Sequence, residues 1–327
     1  MRNPFSIFAL AAALAALPAA AAQAADPAAF PAKAVTVVVP FAAGQSGDIL
    51  ARVLSEGLSR RWGQSVVVEN RGGAGGTLGT RYAAAAQGDG HTLLLASSGP
   101  LAIAPNLYKD AGYDPRRDFV PIMNVAGVSQ VLVVSAASPY RSAADLVAAA
   151  KADPGKLSYG SGGAGSTQHL TMELFKQRAG IAIQHVPYRG SAPAYTDLFG
   201  GRIDAMFDSL PAALPFAQSG QARILAVSTA QRDASLPDVP TVEQSGYAGF
   251  DVLGWLALVA PKGLDPAVRD KINADVAAVM ATDAVKARLQ SLGMQAVGGS
   301  ADDFGRYIDS ELRKWGEVIK TGNIVLE

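Results

Sequence analysis

From Val35 onward the chain alternates apolar runs of four to seven residues with segments in which apolar residues return every three or four positions. Runs of the first kind fit strands buried on both faces, and segments of the second fit helices that cover them. The expected strands are Val35–Val39, Val66–Glu69, Thr92–Ala96, Gln130–Val134, Leu157–Tyr159, Ile183–Val186, Ala205–Phe207, Ile224–Val227 and Trp255–Val259, most of them rich in β-branched residues. Between them lie core-facing stripes: Ile49, Leu50, Val53, Leu54 and Leu58; Leu170, Leu174 and Phe175; Val268, Ile272, Val276 and Val279. A last stripe from Asp303 to Lys320 places Phe304, Tyr307, Ile308, Leu312, Trp315 and Ile319 on one side, so this helix is expected to pack onto a lobe. Helix starts are marked by Ser142 with Asp145 three on, Asp265 before Pro266, and Ser300 with Asp303 three on. In each a side-chain oxygen can accept from free first-turn N–H groups.

The pattern predicts an α/β protein, and two stretches break its alternation. Pro121–Ser135 is a long, mostly apolar stretch with no intervening helix, and Ala222–Phe250 runs from a strand through Pro237, Pro240 and Gly246 before another strand begins. Both fit crossings between lobes, with residues 126–250 forming one lobe inserted into another made of 25–125 and 251–327. No repeat at a solenoid period is present.

Composition agrees with a compact fold. The 327 residues are 49% hydrophobic and 17% charged, with 28 basic against 28 acidic groups. That balance leaves no electrostatic footprint for a phosphate backbone, so nucleic acid is not an expected partner. With no cysteine, disulfides, thiolate metal sites and a cysteine nucleophile are all excluded. At the N-terminus, Arg2, the apolar run Phe5–Leu17 and the small-x-small pattern Ala22-Gln23-Ala24 predict a signal peptide, residues 1–24, cleaved after Ala24. The run is shorter than the ~20 residues of a membrane span, and no later stretch approaches that length. The expected product is a soluble exported protein of the periplasm.

Candidate chemistry sits in loops of glycine and hydroxyl residues between a strand and a helix. They are Pro40–Asp48 with Gly44, Gln45, Ser46 and Gly47; Ser97-Ser98-Gly99-Pro100; and Gly160–Thr167. At the carboxyl ends of parallel strands, helix N-termini present free N–H groups and about half a positive charge, a ready site for an anion. None of the three loops contains Lys or Arg. A small carboxylate could therefore be held by main-chain N–H and Ser or Thr hydroxyls alone.

Other constellations are thin. Gly160, Gly162 and Gly165 match G-x-G-x-x-G, but the next expected strand ends Gln184-His185-Val186, without the acid that would hold a ribose. Read as a phosphate loop, the same segment has Ser166 where the lysine belongs. His91, His169 and His185 lack metal-ligand spacing and fit structural roles. Ser46 lacks the second glycine of a nucleophile elbow and reads as a helix cap; Asp48 reads as a first-turn acid favoured by the helix dipole. Asp208, at a strand end, either faces a cleft or caps the helix near Pro211.

Taken in order, these pieces resemble the Bug family of solute receptors. They are Pro40-Phe41 with Asp48-Ile49-Leu50-Ala51-Arg52; Val68-Glu69-Asn70-Arg71 with a glycine cluster; Tyr159-Gly160-Ser161 with Gly165-Ser166-Thr167 and His169-Leu170; Val186–Pro193; Met206-Phe207-Asp208; and Leu236–Thr241. The resemblance covers essentially the whole mature chain. It implies a two-lobed periplasmic-binding-protein fold of type II, each lobe a mixed, mostly parallel sheet flanked by helices, joined by two crossover strands. It also implies an extracytoplasmic receptor, acting as a monomer, that closes on a small organic carboxylate and serves the membrane subunits of a tripartite tricarboxylate transporter. No catalysis, cofactor or metal is implied. Carried over residue by residue, the ligand site comprises Phe41, Gly44, Ser46 and Asp48 on one side, Ser97 nearby, and Gly165, Ser166, Thr167 and Asp208 on the other. The first loop departs from the family's Gly-Gly-Ser-Thr/Ala-Asp form, because Gln45 replaces the second glycine and Gly47 the residue before the aspartate. Gln45 is therefore expected to reach the ligand or one of its waters and to narrow the pocket. Arg189 is expected to meet a second acidic group or to form a surface ion pair. Two rival functions remain: an exported nucleotide-binding enzyme using the Gly160 loop, and a receptor that reports to a sensor kinase.

Overall fold

The computed structural model describes residues 30–325, so the expected signal peptide lies outside the described residues. Ten strands run through it: β1 (Val35–Val39), β2 (Val66–Asn70), β3 (Thr92–Ser97), β4 (Phe119–Ser135), β5 (Ser158–Ser161), β6 (Gln184–Pro187), β7 (Ala205–Ser209), β8 (Ala222–Val227), β9 (Leu253–Pro261) and β10 (Met294–Gly298). The architecture is mixed α/β. β1 pairs in parallel with β2 and β3, and β5 in parallel with β6 and β7. Antiparallel strands complete each group, giving the order β2-β1-β3-β9-β4-β7-β5-β6, with β8 and β10 also on β4.

β4 is the strand common to both groups. Its first part, to Ser129, pairs with β9, and its last part, from Gln130, pairs with β7 and β8. Sequence expectation placed a strand only at Gln130–Val134, because Pro121, Asn124, Gly127 and Ser129 interrupt the apolar run. Instead the strand runs 17 residues. Neighbours on both sides keep it extended, and the proline falls where the register with β9 shifts, the irregular position that tolerates a missing N–H. The second stretch that breaks the alternation, Ala222–Phe250, holds β8 and then a run without strand. β8 ends at Val227, and Ser228 then ties three segments together: its N–H donates to Gln130 O (2.8 Å), its hydroxyl to Val252 O (2.5 Å), and its carbonyl accepts from Val252 N (2.9 Å). β10 escaped expectation because it is a short, largely exposed edge strand.

Strands buried on both faces explain the continuous apolar runs. Val37 and Val39 enter one core with Leu50, Leu54, Ile272 and Val276, while Val38 enters another with Leu94, Trp255 and Trp315. On the far part of β4, Leu132 and Val134 join that second core, and Val131 and Val133 face a third around Tyr195, Leu198 and Met206. Period-two alternation thus sorts side chains between two interiors rather than between interior and water.

The last helix, Ala301–Thr321, starts two residues before the expected stripe, with Ser300 Oγ accepting from Asp303 N at 3.1 Å. Phe304, Ile308, Leu312, Trp315 and Ile319 are buried. Buried Glu311 accepts from the indole N–H of Trp255 (2.9 Å) and of Trp315 (3.1 Å), linking this helix to β9. Trp315→Ala is therefore expected to lower stability by about 3–5 kcal/mol, read as a fall in the urea midpoint at unchanged slope.

Candidate functional site

The loop after β1 runs through Gly44 into the helix Ser46–Trp62. Gln45, not Ser46, is the N-cap residue, and its side chain makes no capping bond. The first-turn N–H groups at Ser46 and Gly47 are thus left for another acceptor. Asp48 pins the loop from behind, its Oδ2 accepting from Gly44 N (2.9 Å) and Arg52 Nε (3.1 Å). Burial opposes its charge, but those bonds prevail and hold its carboxyl below the usual carboxylate range.

The opposing loop follows β5 and enters the helix Thr167–Ala179, where Ser166 Oγ caps His169 N at 3.3 Å. Two imidazoles brace this loop. Gly165 N donates to His169 Nδ1 (3.2 Å), and Ser161 Oγ, which bonds His185 Nε2 at 2.7 Å, also accepts from Gly163 N at 3.1 Å. The His169 and His185 rings stack at 4.1 Å, with Tyr159 at 4.8 Å from His185. Burial lowers His169 to about 4 and His185 to about 3, so both are neutral at physiological pH.

These two helix starts face one cavity. Phe41, Gln45, Ser46 and Gly47 come from the first loop, Ser97 from the end of β3, Val128 and Gln130 from β4, Thr167 and Gln168 from the opposing helix, Ser209 from the end of β7, and Gly254, Trp255 and Leu256 from β9. Among the described residues, no Lys, Arg or His lines it. The cavity measures about 30 Å³ over the positions a water centre can take. The two sides also touch directly: Ser98 Oγ and Thr167 Oγ1 lie 2.8 Å apart, Gln45 Nε2 donates to Ser191 Oγ at 2.9 Å, and Tyr108 OH donates to Ala164 O at 2.9 Å. At Gly75, φ is +62°, and a Cβ would overlap the Ala164 carbonyl oxygen. Only glycine suits both the backbone and the space.

Asp208 is wholly buried and does not line the cavity. Its Oδ1 accepts from Gln168 Nε2 (3.1 Å) and Ser209 N (2.8 Å), and the Ser191 and Tyr195 hydroxyls face the same carboxylate. Burial raises its pKa above the ordinary value, and these donors partly offset that. It neither caps the next helix, whose N-cap Ser209 makes no side-chain bond, nor meets the cavity. It holds Gln168, which does.

Of the residues expected from sequence, Phe41, Gln45, Ser46, Ser97 and Thr167 line the cavity, whereas Gly44, Asp48, Gly165, Ser166 and Asp208 do not. Exposed Arg189 is not part of the lining. Sequence gave no sign of Gln130, Gln168, Ser209 or Trp255. Gln168 was discoverable as the second residue of a helix already expected to present its N-terminus; Gln130 and Trp255 lie within strands, where nothing local marks a cavity wall. The G-x-G-x-x-G residues do not form one open loop: Gly160 lies within β5, and a Cβ on Gly165 would stand 2.9 Å from the Tyr108 ring. Among the described residues, no cluster of metal-ligating side chains occurs, and no helix is long and apolar enough to cross a membrane.

A sequence profile described as the tripartite tricarboxylate transporter family receptor matches residues 50–324. Protein BugT of Bordetella pertussis is 38% identical over 292 residues, covering 89% of this chain and 90% of its own. Rpa4515 of R. palustris, solved with adipate, superposes with a TM-score of 0.88 at 38% identity, covering 90% of this chain and 99% of that one. MatC from Rhodopseudomonas palustris, solved with bound malate, gives 0.85 at 30% identity, covering 89% and 100%. The fold is that of type II periplasmic binding proteins, as the sequence resemblance implied.

The buried imidazoles set an acid limit. Their folded pKa values lie below the ordinary 6.5, so the unfolded chain binds more protons as pH drops past 6.5. The stabilisation is complete above pH 6.5 and is lost on acidification toward pH 4, by up to about 3 kcal/mol for His169. Urea unfolding at pH 7, 6, 5 and 4 should show this slope, and His169→Asn should flatten it.

Proposed function

The chain belongs to the tripartite tricarboxylate transporter receptor family, a family of solute-binding receptors and not of enzymes, and on that premise we propose that it captures a small organic carboxylate between two lobes and delivers it to the membrane subunits of such a transporter. The observation that carries this reading is the convergence of two helix N-termini, at Ser46-Gly47 and Thr167-Gln168, on one cavity without a cation. Unspent first-turn N–H groups and two positive dipole ends suit one carboxylate held from both sides. Adipate in Rpa4515 and malate in MatC support the ligand class. Phe41, Gln45, Ser46, Ser97 and Thr167 would touch the ligand directly, while Gly44, Asp48, Gly165, Ser166 and Asp208 hold the groups that do.

The proposed lobes are residues 25–125 with 251–327, and 126–250. The hinge lies where β4 passes from Ser129 to Gln130, beside Ser228 and Val252. A ligand that bonds to both sides favours the closed arrangement by its differential affinity for it. The N-terminal pattern supports export to the periplasm, where the receptor would act as a monomer.

A thermal-shift panel of four- to six-carbon acids and their methyl esters tests the ligand class. Acids should raise the melting temperature and esters should not; equal shifts from acid and ester, or none from any acid, would overturn it. Gly75→Val should weaken binding of the best acid at least tenfold and abolish ligand-induced compaction in small-angle scattering, with the far-ultraviolet spectrum unchanged.

A further inference from the structure

The polar atoms of the cavity fall into two kinds. At the helix starts they are donors, as described above. Elsewhere in the lining are two buried amide oxygens, Gln45 Oε1 and Gln130 Oε1, that no protein donor reaches, together with the unpaired hydroxyl of Ser209.

Bonding partners set which way each amide points. Gln45 Nε2 donates to Ser191 Oγ at 2.9 Å, and the Ser191 hydroxyl lies near the buried Asp208 carboxyl group. Turning the Gln45 amide round would replace the donor that meets Ser191 Oγ with an acceptor. Gln130 Nε2 points to Val128 O at 3.4 Å, and the same reversal would bring two carbonyl oxygens together. Gln168 follows the same logic, with its Nε2 on Asp208 Oδ1 at 3.1 Å. The bonds that these amide N–H groups make to Ser191, Val128 and Asp208 thus leave Gln45 Oε1 and Gln130 Oε1 without a protein donor. A buried acceptor without a donor is costly, and a site built this way rejects a ligand that brings another acceptor.

We infer that this receptor selects carboxylates carrying a hydrogen-bond donor, an ammonium or amide N–H, at the end away from the clamped carboxylate, and discriminates against dicarboxylates through Gln45 Oε1 and Gln130 Oε1. The inference rests on the carboxylate-receptor reading and narrows it. It also sets this chain apart from Rpa4515, whose structure contains a dicarboxylate. Neutral amides and cationic amines share the required chemistry, and the experiment separates them.

The test is calorimetric titration of the purified protein with matched four-, five- and six-carbon ligands, each as the diacid, its monoamide and the ω-amino acid. At the best chain length, the monoamide or the amino acid should bind at least tenfold more tightly than the diacid. Gln45→Leu and Gln130→Leu should each narrow that ratio at least threefold, with thermal melting confirming a folded protein. Gln130→Glu keeps the shape and adds a charge, so it should move preference from the monoamide toward the amino acid. Diacids that bind as well as or better than the donor-bearing partners overturn the inference while leaving the carboxylate reading intact. So does a ratio that neither leucine variant alters. If no acid of any kind binds, the carboxylate reading itself fails and the inference falls with it.

Discussion

An anion enclosed without a cation must be met by hydrogen-bond donors that are already desolvated and already aimed, and helix N-termini are where a chain supplies them without spending a charged residue. The proposed carboxylate site depends on that constraint. Two helices, one following β1 and one following β5, begin at the carboxyl ends of parallel strands and open onto the same cavity. Neither carries a cation there, and in the first the capping position is given to Gln45, whose amide bonds across to Ser191 instead of to its own helix. Uncapped amides cost the free protein some stability, which is consistent with reserving them for a ligand.

Behind the donors lies a buried polar layer whose work is positional. Asp48 pulls Gly44 back toward its own helix, His169 accepts from Gly165 of the glycine loop, His185 bonds Ser161 at the start of that loop, and Asp208 fixes Gln168. Each of these groups sits in a setting that shifts its protonation equilibrium, and none of those shifts requires a catalytic purpose. Burial favours the neutral imidazole, which is the form that can accept an N–H. On the proposed reading, perturbed titration here goes with support of a binding surface rather than with proton transfer.

Bringing the two helix starts together is the task of β4. One uninterrupted strand pairs with β9 along its first part and with β7 and β8 along its last, and Ser228 ties the point of transfer to Val252. Contacts between Ser98 and Thr167, and between Gly75 and Ala164, belong to an arrangement in which the two sides already meet.

Much of this was legible from the order of residues. Apolar runs flanked by Gly, Ser and Thr marked strand ends and helix starts, since buried parallel strands and amphipathic helices impose different spacings on any chain. That sufficed for the α/β class and for the loops that bear Phe41, Gln45, Ser46, Ser97 and Thr167. The full length of β4 was not legible, because Pro121, Asn124, Gly127 and Ser129 are poor strand formers taken singly and are held extended by partners far away in sequence. Likewise Gln130 and Trp255 look like ordinary strand residues until pairing turns them toward a shared cavity. Local spacing determines which elements form, whereas the direction of an amide oxygen depends on which distant group accepts the N–H beside it. For Gln45 that group is Ser191, 146 residues away, and only the folded chain could choose it.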